Sequence, residues 1–491
     1  MIGRLVRHAT HYGASSVLVV IAGLISFPLV TRSLSVAEYG QITLIVTQLT
    51  FWIGLAKLGV QHASLRTWPE VEAGRSPYTA LVWRSTVIFG MLASGVLISL
   101  LAVAVVTALP DDWLNDVPHG LLMVLVAGLV IVRVAESALT HPLRALERSA
   151  SVSTFNVLRR YLTLGLTALV LLGFSASVAG FFGAALIAEG MAVLALGLWM
   201  HRGLPASARA LDPKLFRTMV GIGLPMVGVE LASVLLMLSD RWLIQHYLGN
   251  EALGLYGAAS TLCEALRAAF LLSLIQTVTP AYGRAWEQQG PAATGQLLGQ
   301  FTELYAALAL PLVAGLAAVA PLLLPMLASD RYSAVATQLP WVMGAMAIES
   351  WMTVACAGLM LAKRTHLLWV AVALASLINL ALNALLLPRV GLIGASIASM
   401  LVLAGLAASV SWAGRRTVQI TVPWLRIGLH ALSAGWMYLC VVQIEMSSAW
   451  LTLLARIVVG IALYGGLTLL TTPWVRAGLA ERLFRSSAAP R

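Results

Sequence analysis

Long apolar runs separated by short polar connections fill the chain as far as about residue 470. Each run is long enough for a helix to cross a ~30 Å hydrocarbon core. The pattern therefore predicts an all-α, polytopic membrane protein with about 14 transmembrane helices. We place the spans near 9–30, 41–64, 80–108, 118–140, 156–174, 177–200, 216–238, 253–279, 297–326, 334–361, 366–387, 391–413, 425–444 and 449–470.

Composition excludes a soluble protein. Hydrophobic residues make up 59% of the chain and charged residues only 10%, whereas soluble domains carry roughly 25% charged residues. The formal net charge of +11 is interpreted as a topology signal and not as a nucleic-acid footprint. Three cysteines fall inside apolar runs, which favours neither a metal site nor a disulfide framework.

Basic residues collect in alternate connections. One set of loops and span ends holds most of the Lys and Arg, while the opposite set holds few and includes Asp111, Asp112 and Asp116. Loops rich in Lys and Arg stay in the cytoplasm. We therefore expect both termini to be cytoplasmic.

A repeat organises the chain. The stretch around Tyr39-Gly40 recurs around Tyr256-Gly257, a little under half the chain length later. We expect six spans in residues 1–204, six in 205–417, and two further spans with a cytoplasmic tail in 418–491. Because six is even, the two lobes are predicted to form a parallel pseudo-two-fold repeat around a central cleft.

These motifs resemble those of the polysaccharide-biosynthesis (PST, Wzx-type) flippases of the multidrug/oligosaccharidyl-lipid/polysaccharide (MOP) superfamily. The resemblance rests on Arg32…Tyr39-Gly40, on residues 58–61 (LGVQ), and on Asp240-Arg241 followed by residues 254–257 (GLYG). It covers the first twelve spans.

The resemblance implies export of an undecaprenyl-diphosphate-linked oligosaccharide from the inner to the outer leaflet by alternating access. The glycan would serve O-antigen of lipopolysaccharide, exopolysaccharide or capsule, with a polysaccharide polymerase as a possible partner. The last two spans are similar to the added pair of lipid II flippases, which forms a groove for the lipid tail.

Two intramembrane cations are candidates for binding the diphosphate. Lys57 lies in the second span, on a polar stripe with Gln61, and Arg267 lies in the corresponding eighth span. Each cation also has a structural interpretation. Lys57 can pair with an acid on another span, and Arg267 can pair with Glu264, which stands three residues earlier on the same helix face.

Acids at bilayer depth are candidates for ion coupling, because each costs free energy unless it is neutralised. Glu189, Glu230 and Glu349 have no charged neighbour at helical spacing, so each is a candidate proton or sodium site or a structural hydrogen-bonding group. Arg133 and Glu136, three residues apart, are expected to pair with one another.

Further charges lie near span ends. Arg32, Asp240 and Arg241 end the first and seventh spans, where they form either an outer gate or ordinary interface contacts. Glu303 is expected to be hydrated and Arg456 to snorkel to the membrane surface.

Two other functions remain open. A cation-coupled multidrug exporter of the same superfamily would use the intramembrane acids as ligands, although Lys57 and Arg267 favour an anionic cargo. A glycan polymerase or glycosyltransferase is disfavoured, because the sequence has no nucleophile triad, phosphate loop or zinc spacing. We expect no enzyme activity, no cofactor, and membrane lipids as the surroundings.

The charge asymmetry gives a direct topology prediction. Reporter fusions at either terminus should be active only as cytoplasmic reporters. A periplasmic signal from either fusion would contradict the predicted orientation.

Overall fold

The computed structural model describes residues 2–107 and 119–471, and in these ranges every regular element is helical. The acidic segment at 108–118 and the tail at 472–491 lie outside the described residues. The α-helices are α1 (Ile2–Ser33), α2 (Val36–Ala56), α3 (Val60–Glu72), α4 (Ala80–Thr107), α5 (His119–Ala145), α6 (Ser149–Gly173), α7 (Val178–Gly203), α8 (Pro213–Leu266), α9 (Leu272–Leu327), α10 (Leu339–Ala355), α11 (Ala357–Leu361), α12 (Thr365–Val390), α13 (Leu392–Gly414), α14 (Trp424–Val442) and α15 (Ala449–Thr471).

The helices confirm the predicted all-α membrane architecture. Within the described ranges, 13 helical stretches are long and apolar enough to span a membrane. Two of them, Pro213–Leu271 and Leu274–Leu327, together contain three of the predicted spans, the seventh to the ninth. Gly249 and Gly290, with φ of 83° and 82°, interrupt the helical backbone between these spans.

The chain divides into two compact units, Met1–Gly254 and Leu255–Arg491. In the N-terminal unit, α1 packs on α6, and α5 packs on both α4 and α7. The connector before α8 is fixed to the start of α4. Arg84 donates to the carbonyl of Pro205 at 3.2 Å, and the Ser85 and Thr86 hydroxyls accept from backbone amides of that connector at 3.0 Å.

Glycines of α8 allow close backbone approaches to both ends of α2. A Cβ added to Gly223, before the interruption at Gly249, would overlap the backbone of Gly59, and one added to Gly254, after it, would overlap the carbonyl of Val36. The first contact lies directly before α3 and the second at the opposite end of α2. The two segments of α8 therefore approach α2 through contacts that only glycine permits.

In the C-terminal unit, the appended helices α14 and α15 pack on α9. The extended connector before α14 lies against Gly295 and Gly299 of α9, and the Thr421 amide donates to the Gly295 carbonyl at 3.3 Å. These small residues let the connector's backbone approach the helix closely.

Two charged groups strengthen this attachment, in ways that correct the sequence expectations. Glu303 is buried and accepts from Arg426 of α14 at 3.1 Å, so it is not simply hydrated. Arg456 does not snorkel. It is only 8% exposed and donates to the carbonyls of Ala318, Val442 and Ile444.

The Gly59–Gly223 contact can be tested with a matched pair of substitutions. Gly223→Ala should lower the thermal stability of the purified protein by about 1–3 kcal/mol, the usual cost of overpacking. Gly221→Ala, two residues earlier, places its methyl group where no atom lies within 4 Å and should be neutral or stabilising. Equal melting temperatures for the two variants in detergent would contradict the contact.

Candidate functional site

The second span is broken at Lys57. α2 ends at Ala56 with Lys57 as its C-cap, and the chain then passes through Leu58 (φ 49°) and Gly59 (φ 75°) before α3 begins. Positive φ is unfavourable for leucine, so neighbouring groups must stabilise the break. The buried Ser94 hydroxyl of α4 does so by donating to the Ala56 carbonyl at 2.7 Å.

This break changes the predicted setting of Lys57. The sequence suggested one polar stripe along a continuous helix, whereas Lys57 occupies a helix C-terminus, where the dipole favours a cation. The side chain is half-buried, and Gln61 begins a separate helix segment. Lys57 therefore sits at a backbone irregularity inside the span and not on a regular helix face.

Arg267 lies at a second helix irregularity, in the C-terminal unit. It begins a π-helical segment, Arg267–Leu271, between α8 and α9, and such segments frequently occur at functional sites. Its guanidinium forms two hydrogen bonds to Glu264, of 2.8 and 2.9 Å, and one of 3.1 Å to Glu349 of α10. The predicted Glu264 pair is present, and Glu349 is not the lone acid that its sequence neighbours suggested.

The acids of the N-terminal unit are also paired differently from the sequence expectation. Arg133 of α5 bonds Glu189 of α7 through two parallel contacts of 2.8 and 3.0 Å. Glu136 instead faces Arg159 of α6 at 3.2 Å. The predicted Arg133–Glu136 pair is thus replaced by pairs between helices, and Glu189 has two arginine neighbours because Arg159 also lies 3.9 Å away.

Glu230 of α8 has polar neighbours without a permanent charge. Its carboxylate accepts from the Gln61 amide at 3.2 Å and lies 3.7 Å from the His62 imidazole. Both partners belong to the first turn of α3, directly after the break. The sequence reasoning missed His62, whose only signal was its place beside Gln61.

The residues predicted to form an outer gate occupy different settings. Arg241 donates to the Thr47 hydroxyl and to the Thr43 carbonyl of α2. Asp240 is buried, and Arg32 is exposed in the last turn of α1. The structure therefore places Arg241 against the second span, and the gating role of the three residues stays a prediction.

An apolar cavity of about 680 Å³ lies within the C-terminal unit. α9, α10 and α14 line it, with Tyr305, Trp351, Trp424 and Tyr438 as the large side chains. In the described ranges no three His, Cys, Asp or Glu side chains cluster as a metal site would require. The cavity fits a long apolar group.

Apolar spanning helices, helix breaks and paired charges within those helices are features of a polytopic membrane protein. The model of the polysaccharide biosynthesis protein family matches residues 5–286, which is more than half of the chain. The chain belongs to this family.

Solved structures show the same fold. The lipid II flippase MurJ in an inward closed conformation is 12% identical, with a TM-score of 0.73 over 94% of this chain and 98% of the other. An inward-facing multidrug resistance MATE family transporter of the MOP superfamily is 14% identical, with a TM-score of 0.57 over 87% and 96%. A MOP superfamily transporter from Pyrococcus furiosus is 15% identical, with a TM-score of 0.54 over 87% and 96%.

No curated protein sequence matches this chain. At such low identities the structural likeness establishes the fold, and function must be argued from the side chains of this chain.

The interhelical charge network can be tested by removing its shared acid. Glu189→Gln should destabilise the protein by roughly 3–5 kcal/mol, because it leaves buried guanidinium charge without its carboxylate. Thermal unfolding in detergent measures this cost. Adding Arg133→Gln should recover part of it, and Glu70→Gln, an exposed glutamate on α3, should have little effect.

A melting temperature of Glu189→Gln equal to that of the unmodified protein would show that this network does not stabilise the N-terminal unit.

Proposed function

We propose that the protein flips an undecaprenyl-diphosphate-linked oligosaccharide from the inner to the outer leaflet of the bacterial inner membrane. The glycan would be used for O-antigen, exopolysaccharide or capsule. Alternating access would move the cargo, and a proton or sodium gradient would drive it. Lys57 is the observation that carries this proposal, since it is a half-buried cation at a break within a spanning helix.

Two features favour an anionic cargo. A cation at bilayer depth costs at least ~2.5 kcal/mol on insertion scales, so its retention needs a compensating role. A diphosphate provides one, because electrostatic attraction strengthens where water is excluded. Arg267 supplies a second cation, which Glu264 and Glu349 hold with two carboxylates, so a diphosphate must compete with both acids for its guanidinium.

The lipid part of the cargo is supported by the apolar cavity between α9, α10 and α14. Its volume of about 680 Å³ accommodates part of a polyprenyl chain. Both the family membership and the likeness to a lipid II flippase agree with a lipid-linked cargo. A cavity so poor in polar groups does not fit the sugar, which must be bound elsewhere.

The drug-exporter alternative loses support from the charge pairing. A cationic drug would be attracted by acids, but Glu189 is bound by Arg133 and Glu349 by Arg267. Expression of the protein in a strain lacking its drug exporters distinguishes the two functions. Increased ethidium efflux without any effect on surface glycan would favour the drug exporter.

In this proposal each cation binds the diphosphate of the cargo, and this model makes a prediction about both of them. Lys57→Ala or Arg267→Ala should lower export roughly 10–100-fold, the usual cost of one charge-assisted hydrogen bond. Lys57→Arg should retain more activity, because the charge is kept. The measurement is surface glycan normalised to the amount of protein in the membrane, with Arg416→Ala, an exposed arginine, as the control.

A rescue variant separates substrate binding from structural pairing. If Arg267 serves only to neutralise Glu264 and Glu349, then Arg267→Ala should regain export when both acids are changed to glutamine. Such a rescue, or full export by Lys57→Ala, would contradict the model.

A further inference from the structure

The three candidate coupling acids differ in the partners that hold them. Glu189 and Glu349 each contact arginine, at 2.8 and 3.1 Å, and a guanidinium keeps its charge at every physiological pH. Glu230 instead contacts the Gln61 amide and lies near His62. Histidine is the side chain that ordinarily changes charge between about pH 5 and 8.

Gln61 can serve Glu230 in both of its protonation states. The residue is only 4% exposed, and its Nε2 donates to the carboxylate of Glu230. Its Oε1 is buried and has no hydrogen-bond partner among the described residues. If Glu230 gains a proton, a rotated Gln61 amide presents Oε1 to accept it, so a hydrogen bond persists in either state.

We propose that Glu230, Gln61 and His62 form a proton-binding site whose charge state controls how tightly α8 is held against α3. With His62 protonated and Glu230 ionised, the two side chains attract each other across the helix contact. When either charge is lost, only the hydrogen bond of Gln61 remains. The site deepens the proposed function, since it rests on the proton alternative of the gradient proposed there, but it does not depend on the identity of the cargo.

The break at Lys57 makes α3 a segment that a change of charge at this site can move. α3 is a separate segment after Leu58 and Gly59, so it can tilt without bending α2. The contact between Gly59 and Gly223 supplies a pivot directly beside the site. A change of charge at His62 or Glu230 therefore alters the attraction between α8 and α3, a helix that the break already separates from α2.

Other charged groups set the field around the site. Lys57 at the end of α2 and His141 of α5 interact electrostatically, and His141 also interacts with His62. Glu136 of α5 lies within range of Lys57, while α4 contacts α3 through the Trp83 indole, which donates to Thr67. Lys57, His141 and Glu136 are therefore the ionisable groups that the neighbouring elements bring toward the site.

The first test measures proton binding directly and needs no cargo. The full-length protein, labelled with ¹³C at the histidine Cε1 and held in lipid nanodiscs, is titrated by NMR, and the signal missing from His62→Gln assigns His62. Glu230→Gln should lower the pH midpoint of this signal by roughly one unit, a tenfold change in proton affinity. Glu70→Gln on the same helix should leave it unchanged.

The second test measures the movement. Spin labels at Leu65 on α3 and Leu224 on α8, both exposed, report their separation in a background without the three native cysteines. The distance should change with pH in the otherwise unmodified protein, but not after Glu230→Gln or His62→Gln.

Two results would overturn the proposal. The first is a pH midpoint of the His62 signal that does not change in Glu230→Gln. The second is a distance between the spin labels that changes when sodium is replaced by choline but does not change with pH. Both measurements are made without a lipid-linked glycan. A negative result in the export experiments would therefore not decide whether the proton-binding site exists. A negative result here would not decide which cargo is exported.

Discussion

The cost of placing charge inside a membrane governs the arrangement of this protein. Each ionisable side chain at bilayer depth must be neutralised, solvated or used. Arg133 and Arg159 join α5, α6 and α7 through Glu189 and Glu136, and Arg267 joins the eighth span to α10 through Glu349. Charge pairing therefore supplies attachments between helices that apolar packing in lipid does not specify.

Backbone irregularity is the second constraint, and both candidate cations lie at such irregularities. Lys57 follows the end of α2 and Arg267 begins a π segment. Irregular backbone at membrane depth persists only where other groups satisfy it, as Ser94 does for Ala56. Both irregularities therefore coincide with the cations that we propose bind the diphosphate.

The sequence was sufficient for the all-α membrane architecture because hydropathy acts at the scale of whole spans. It was also sufficient for Glu264 and Arg267, whose pairing follows from helical spacing alone. It failed at Arg133, because its two hydrogen bonds go to Glu189, which comes from another helix. Partners across helices carry no signal in one sequence, which is why His62 and the Glu303–Arg426 pair were not anticipated. The residues Leu58-Gly59 contained a hint of the break, since glycine within a span permits positive φ.

The apolar cavity has a different physical role from that of a hydrophobic pocket in water. Moving a polyprenyl chain from surrounding lipid into the cavity removes little apolar surface from water, because lipid tails are as apolar as its walls. The usual ~25 cal/mol per Å² therefore does not apply, and the cavity can orient a tail without binding it tightly. Affinity for a lipid-linked cargo must then come from its charged headgroup. The diphosphate is the part shared by the cargoes that we propose, so under that proposal Lys57 and Arg267 supply the affinity and weaker polar contacts select the glycan.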